Sequence, residues 1–243
     1  MLRNLPFASI EARASSKPDT GEILLYADVG PYEWGMVDER SFADALKQLG
    51  DVKTINLRIN SAGGSAFSGV AIYNQLKRHP ARVEVDVDGL AASIASVIAM
   101  AGDEIRMGEG AQMMIHDASS LSWGNAESMR RTADLLDTIS GDLAEIYARR
   151  SGRSVAEIRD LMKAETWFTA AQAVDAKLAD VVTAVPVQAR MDPQVAARFR
   201  YPPKNLLSPR QTVDEVNSRA QARKAADNLV ARAAEHQRKE PVK

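Results

Sequence analysis

Residues 82–102 read RVEVDVDGLAASIASVIAMAG. The first part alternates valine with charged residues, which is typical of a strand with one buried face. The part after Gly89 is rich in small and apolar residues and predicts a short helix that ends at Gly102. Ser93 therefore lies at a predicted strand-to-helix junction, the arrangement that nucleophilic acyl transfer requires of a serine.

The preceding part of the chain repeats this order of elements. A predicted strand at 54–59 leads into the glycine loop Ser61-Ala62-Gly63-Gly64 and then into a helix that ends before Pro80. Two segments at 7–14 and 22–27 flank turn-forming residues and predict an opening pair of strands. Strand, glycine loop and helix occurring twice in succession predict an α/β fold whose sheet has much parallel pairing.

Later segments complete one predicted domain. Residues 112–115 predict a short strand that delivers His116, and a long amphipathic helix follows Asn125 and ends at Gly152. Capping boxes begin at Ser154 and Thr169, and a strand at 178–185 closes the domain. We therefore expect an N-terminal strand and turn segment at 1–21, a globular domain at 22–185 and a tail at 186–243.

Composition restricts the chemistry and the partners. The 243 residues include no cysteine, which removes disulfides, thiolate metal sites and a cysteine nucleophile. Residues 186–243 carry 12 Lys and Arg against 6 Asp and Glu, so a basic, partly disordered or helical tail follows an acidic body. No stretch is apolar enough for a leader or a membrane span, and we expect neither nucleic acid nor a membrane as a partner.

A serine hydroxyl needs a base within hydrogen-bond reach, and His116 is the best candidate for that base. His79 precedes a proline at a helix end, and His236 lies in the polar tail. Only His116 follows an apolar strand that could hold its ring rigidly. We expect Ser93 to be the nucleophile and His116 its general base.

A carboxylate behind the imidazole would fix its tautomer. Glu165 is the first choice for this position. Asp160, Asp117 and Asp180 are the alternatives, of which Asp160 falls inside a predicted helix and Asp117 is adjacent to the histidine.

Two backbone N–H groups must stabilise the oxyanion of the tetrahedral intermediate. Gly63 and Gly64 allow bare backbone to approach a substrate closely. We expect the donors to be the N–H groups of Gly64 and Ile94, with an exposed strand edge nearby for an extended peptide.

Each feature alone also fits a structural role. Ser93 could be a small residue that lets a helix pack, His116 a hydrogen-bonded core histidine, and Glu165 a helix-end charge. The glycine pair could be an ordinary turn. The functional interpretation depends on their occurring together.

The combination resembles the Clp protease proteolytic subunit family over residues 22–184. The shared segments are INSAGG at 59–64, GLAAS at 89–93, MIH at 114–116 and FTAAQAV at 168–174. The resemblance implies a serine endopeptidase with Gly64 in the oxyanion hole, Ser93 as nucleophile and His116 as base. It places Glu165 at the third triad position, where the housekeeping enzymes have aspartate.

Two departures are similar to the divergent phage and prophage branch, the head maturation or prohead proteases. Ala62 replaces the usual proline, and Asp117-Ala118 follow the histidine in place of Gln-Pro. This branch implies capsid or scaffold protein as substrate, in the cytoplasm of a bacterial host or inside a procapsid.

The resemblance also implies an architecture. Repeated ββα units like those of crotonases would carry a long handle helix, and subunits would form a homo-oligomeric ring, heptameric or doubled. The chemistry needs no metal or organic cofactor. The need for an unfoldase ATPase stays open, and the chain itself has no P-loop.

Three alternatives remain. A crotonase-like acyl-CoA enzyme would use the same glycine N–H groups without needing Ser93 and His116. A serine–lysine peptidase usually carries a membrane anchor. A non-enzymatic assembly or scaffold protein of the same fold would cleave nothing.

Overall fold

The computed structural model describes residues 10–186 and 191–207. Its strands are β1 (Ile10–Ala14), β2 (Thr20–Leu25), β3 (Thr54–Ser61), β4 (Arg82–Ala92), β5 (Glu104–Glu109), β6 (Gln112–Ile115), β7 (Thr166–Thr169) and β8 (Val181–Pro186). Its helices are α1 (Glu39–Leu49), α2 (Ala66–Arg78), α3 (Ile94–Ala99), α4 (Ala126–Ser151), α5 (Val155–Lys163), α6 (Ala170–Asp175) and α7 (Pro193–Ala196). Two 3₁₀ turns span Tyr32–Trp34 and Lys204–Leu207.

The main sheet has the strand order β1-β2-β3-β4-β5-β8. β2, β3, β4, β5 and β8 are parallel, and β1 pairs with β2 in the antiparallel direction. The predicted α/β class and the opening strand pair are confirmed, although the part of the first predicted strand before Ile10 lies outside the described residues.

β4 continues five residues beyond its predicted end at Val87 and builds a branch of the sheet. Its last residues, Leu90–Ala92, pair in parallel with β6, and β7 adds to β6 in the antiparallel direction. After Asp88 the extension, residues 89–92, is apolar and buried, so its sequence has no period-two alternation to mark it as strand. In this branch β4 and β6 end next to each other, at Ala92 and Ile115.

One face of the central strands supplies the core and the other carries paired charges. Ile55, Leu57 and Ile59 of β3 are fully buried. The intervening positions hold ion pairs, such as Arg58 with Asp88 at 2.8 Å.

Helix ends follow the predicted caps. Asp38 accepts a hydrogen bond from the Ser41 N–H at the start of α1, and Asn125 accepts one from Ser128 N–H at the start of α4. The capping boxes at Ser154 and Thr169 are both formed. Since each cap satisfies backbone N–H groups that have no partner inside the helix, these residues fix where the helices begin.

The long helix α4 is buried only toward its C-terminal end. Leu143, Ala144 and Tyr147 lie in the core, whereas Met129 is 49% exposed. The predicted apolar stripe therefore packs within the subunit over its second half and is exposed in its first half.

Residues 191–207 form a segment that we call the strap. Its apolar side chains pack on the branch of the sheet, in a small core made by Met191, Ala196, Phe199 and Leu206 with Leu90, Ala92 and Met114. The sequence indicated only a linker here. The rest of the predicted tail, with its helical stripe at 213–233, lies outside the described residues.

Within residues 10–186 and 191–207, no helix is both long and apolar enough to cross a membrane.

Candidate active site

Ser93 connects β4 to α3 in a strained conformation. Its φ of 55° and ψ of −129° are unusual for a residue with a side chain. Such backbone persists only where the surroundings hold it, and the Ser93 N–H donates to the Met114 carbonyl at 2.9 Å. The turn projects the hydroxyl away from the sheet at the end of the branch.

His116 follows β6 directly, so the pairing of β6 with β4 brings it to Ser93. Ser93 Oγ lies 2.7 Å from His116 Nε2. Burial lowers the pKa of His116, and this effect outweighs the opposing influence of the Glu165 and Asp117 carboxylates. The imidazole is therefore neutral near pH 7 and can accept a proton from the serine.

The glycine loop lies against the same turn. A methyl group on Gly63 would sit 2.7 Å from Ser93 Cβ and 3.1 Å from the Ile94 nitrogen. Val29 holds the loop from its other side, because Val29 N–H donates to the Gly63 carbonyl and Ser65 N–H donates to the Val29 carbonyl, both at 2.7 Å. Gly63 is thus packed against the Ser93 turn, and the neighbouring Gly64 lines the same cleft as Ser93 and Ile94.

A cleft of about 350 Å³ opens beside Ser93 and His116. Gly64, Ser93 and Ile94 form one end of it. Its wall is largely apolar and includes Phe67, Leu136, Ile139, Leu143, Tyr147 and Phe199. The cleft suits an apolar side chain of a bound peptide.

Glu165 lies near His116, but its carboxylate is engaged by the strap. One oxygen accepts the Tyr201 N–H at 2.6 Å and lies 3.4 Å from Trp167 Nε1, and the other accepts the Arg200 N–H at 2.7 Å. Within the described residues, no hydrogen bond joins Glu165 to His116. The expected contact between acid and imidazole is thus not made in this arrangement.

Among the described residues, none of the three alternative acids forms a hydrogen bond with His116. Asp117 lies 3.2 Å from Arg159, although these two atoms are not aligned for a hydrogen bond. Asp160 is exposed on α5. Asp180 accepts the Ile105 N–H at 2.7 Å and pairs with Arg150.

The buried hydroxyls of Ser96 and Tyr147, which sequence reasoning missed, form hydrogen bonds that support the Ser93 turn. Ser96 Oγ lies 2.7 Å from the Ser93 carbonyl, 2.9 Å from the Met114 carbonyl and 2.7 Å from the Tyr147 hydroxyl. Since the carbonyls only accept, the single Ser96 hydroxyl proton is shared between them, and the Ser96 oxygen accepts from Tyr147, whose hydroxyl also lies 3.5 Å from the Ser93 carbonyl. Serine at the third helical position of an otherwise apolar α3 was the available signal.

We expect Ser96→Ala to destabilise the protein by about 1–3 kcal/mol, because the substitution leaves the buried Tyr147 hydroxyl only its long 3.5 Å contact with the Ser93 carbonyl. Ser151→Ala is the matched control, since that buried serine donates to the Tyr147 carbonyl of its own helix and accepts from the Arg153 N–H at 3.3 Å, so its loss leaves no buried side-chain hydroxyl without a partner. Denaturant titration measures both losses. A loss for Ser96→Ala no larger than that of the control would contradict the role of the pair.

Comparison with known proteins gives a consistent result. The sequence profile described as Clp protease matches residues 42–186, more than half of the chain. The ATP-dependent Clp protease proteolytic subunit 1 of Protochlamydia amoebophila is 35% identical over 157 residues, which cover 60% of this chain and 76% of the relative. Subunit 3 of Rhodococcus jostii is 33% identical over 133 residues, covering 54% of this chain and 65% of the relative.

Subunit 2 of Corynebacterium diphtheriae is 31% identical over 132 residues, which cover 54% of this chain and 66% of that relative. The matched region contains the serine, the histidine and the glycine loop described above. The chain therefore belongs to the Clp protease family and is a serine-type endopeptidase.

Proposed function

We propose that this protein cleaves polypeptides with Ser93 as nucleophile and His116 as general base, and that it processes phage capsid or scaffold proteins during head maturation. The observation that carries the catalytic part is the 2.7 Å contact between Ser93 Oγ and His116 Nε2 at the mouth of an apolar cleft. A crotonase-like acyl-CoA reaction would give this contact no role.

In the first step, Ser93 Oγ attacks the carbonyl carbon of the peptide bond while its proton passes to His116 Nε2. The carbonyl oxygen becomes an oxyanion that accepts from the N–H groups of Gly64 and Ile94. The imidazolium then protonates the leaving amine as the carbon–nitrogen bond breaks. Water deprotonated by His116 attacks the acyl-enzyme and releases the acid product and free Ser93.

Glu165 is the proposed third member of the triad. Its carboxylate would accept the N–H of His116 Nδ1 and stabilise the imidazolium formed during attack. Its place at the start of β7, beside β6 and His116, supports this assignment. The hydrogen bond requires the carboxylate to leave the amides of Arg200 and Tyr201.

The quaternary structure and substrate belong to the same proposal. The relatives are named as subunits, and the exposed first half of α4 offers a surface through which copies of this chain could form a homo-oligomeric ring. Ala62 and the Asp117-Ala118 pair, which are similar to the phage branch, support capsid or scaffold protein as substrate in the host cytoplasm or inside a procapsid.

Co-expression with phage capsid and scaffold proteins tests the proposed substrate. Mass spectrometry should find cleaved capsid or scaffold with the wild type and with the control Ser122→Ala, an exposed serine on the loop after His116. Cleavage should be absent with Ser93→Ala. If the enzyme hydrolyses model peptides but capsid and scaffold remain intact, the proposed substrate is wrong. The proposed catalytic mechanism would still stand.

The pH dependence of kcat/KM provides a separate prediction. Only neutral His116 can accept the serine proton, so activity is lost as pH falls through its pKa. Because burial lowers that pKa, the acid limb should have its midpoint below the ordinary histidine value of 6.5. A midpoint above 6.5 for hydrolysis of an uncharged peptide would contradict the buried, neutral imidazole.

A further inference from the structure

The strap makes its polar contacts at the acid of the proposed triad. Two consecutive backbone N–H groups, those of Arg200 and Tyr201, each donate to a different oxygen of Glu165. The indole N–H of Trp167 lies against one of the same oxygens. Three donors therefore surround a carboxylate that has about four acceptor sites.

Apolar contacts hold the strap in the same place. Phe199 is buried and meets the His116 ring edge-on, with centroids 6.2 Å apart, and meets the Trp167 ring at 5.3 Å. Arg198 forms an ion pair with Asp28, on the segment that also holds the glycine loop. Because Leu206 packs in the small core after residues 200 and 201, the strap is anchored on both sides of the stretch that carries the two amides.

Space for an alternative position of the carboxylate lies between the acid and the base. His116 and Glu165 both line a polar depression of about 390 Å³, together with Met162, Arg198 and Arg200. The Glu165 backbone has a φ of 50°, a strained value for a residue with a side chain. A side-chain rotation across this depression would carry the carboxylate toward His116.

We propose that the strap is an intramolecular latch, which keeps the Glu165 carboxylate on the amides of Arg200 and Tyr201 and so withholds it from His116. The inference rests on the proposed function, because it concerns the third member of that triad. In the latched state the Ser93–His116 pair is formed but its imidazole lacks a carboxylate partner. Release of the strap frees Glu165 to accept from His116 Nδ1.

A pair of substitutions at one position tests the latch in the full-length protein. Tyr201→Pro removes the N–H that donates to Glu165, whereas Tyr201→Ala keeps it and removes only a side chain that is 61% exposed. Activity follows the fraction of molecules that are competent, so kcat for a short peptide should be at least about threefold higher in Tyr201→Pro. Equal or lower kcat in Tyr201→Pro would overturn the latch.

Adding Glu165→Gln distinguishes a gain caused by release of the Glu165 carboxylate from a gain caused by general loosening of the strap. In the Tyr201→Ala background, this second change should alter kcat little, because the latched acid contributes little. In the Tyr201→Pro background, it should remove the whole gain, and this non-additivity is the signature of the latch. Leu206→Ala, which weakens the packing of the strap at a position outside the cleft wall, should reproduce the gain if Tyr201→Pro proves unstable.

Titration of His116 by NMR tests the latch without relying on catalysis. The charged groups facing the ring are those of Asp117, which pairs with Arg159, and of Lys163, Glu165, Arg198 and Arg200. The pKa of His116 should be higher in Tyr201→Pro than in Tyr201→Ala, and the difference should vanish with Glu165→Gln. A difference that persists would mean that displaced arginines, not Glu165, act on the ring, and no difference at all would also reject the latch.

The two failures are distinguishable. Absence of peptide hydrolysis in every variant, with the His116 shift present, would reject the proposed function and keep the latch. Hydrolysis that depends on Ser93 and His116 but is unaffected by changes in the strap would reject the latch and keep the proposed function.

Discussion

Ser93→Ala is expected to lower kcat for peptide hydrolysis by about 10⁴-fold or more, with KM nearly unchanged, because it removes the atom that forms the acyl-enzyme. His116→Ala should cost about as much, since Ser93 has no other base within hydrogen-bond distance among the described residues. Steady-state kinetics with a fluorogenic peptide measure both. The double variant should be no worse than either single variant, because the two side chains act as a unit.

The control for this prediction is Ser122→Ala, which changes an exposed serine and should retain wild-type kcat. Thermal unfolding should show that Ser93→Ala is at least as stable as the wild type, since it removes no buried hydrogen bond other than that to His116. Turnover by Ser93→Ala within tenfold of the wild type would mean that a different residue is the nucleophile.

Gly64→Ala has the second largest expected effect. A Cβ at this position would lie 1.9 Å from the Val29 carbonyl oxygen, and the φ of 140° disfavours any side chain. The loop must therefore shift and carry its N–H away from the substrate oxygen. Loss of one oxyanion donor costs about 10²–10³-fold in kcat, and we expect a loss of at least this size.

Gly141→Ala is the matched control. Gly141 lies on α4, and an added Cβ there would meet no neighbouring atom within 4 Å. It should leave kcat unchanged and add a little stability, since alanine is the better helix former. Circular dichroism at low temperature should show that Gly64→Ala is folded, which means that its loss of activity is not caused by unfolding. Wild-type kcat from folded Gly64→Ala would rule out this loop as the oxyanion site.

Local patterns, taken together with the family resemblance, predicted the site's central pair. Ser93 follows an alternating strand and precedes a small-residue helix, and His116 follows a short apolar strand. Parallel pairing then brings the ends of β4 and β6 together, although the sequence did not show that β4 extends to Ala92. An apolar strand buried on both faces has no polar alternation, so its length could not be read from the sequence.

The surroundings of Glu165 could not be predicted in the same way. Its partners at 200 and 201 lie about 35 positions later, in a proline-rich segment with no helical or strand period. The apolar residues of the strap are irregularly spaced, because they pack as a short helix, a turn and a 3₁₀ turn instead of one regular element. Only the folded chain shows that this segment covers the acid.

The Ser96–Tyr147 pair illustrates a third kind of difficulty. Taken separately, Ser96 fits the role of a small residue in the packed helix α3, and Tyr147 fits that of one member of an apolar stripe on α4. Their contact depends on how α4 crosses α3, which is a tertiary feature. Burial also raises the pKa of Tyr147, which keeps its hydroxyl protonated as a donor.

Covalent trapping tests the central claim most directly. Full-length protein treated with a fluorophosphonate should gain one adduct per chain, and peptide mapping should place that adduct on Ser93. His116→Ala should react far more slowly under the same conditions. An adduct on another residue, or labelling of Ser93 at the same rate without His116, would contradict the account.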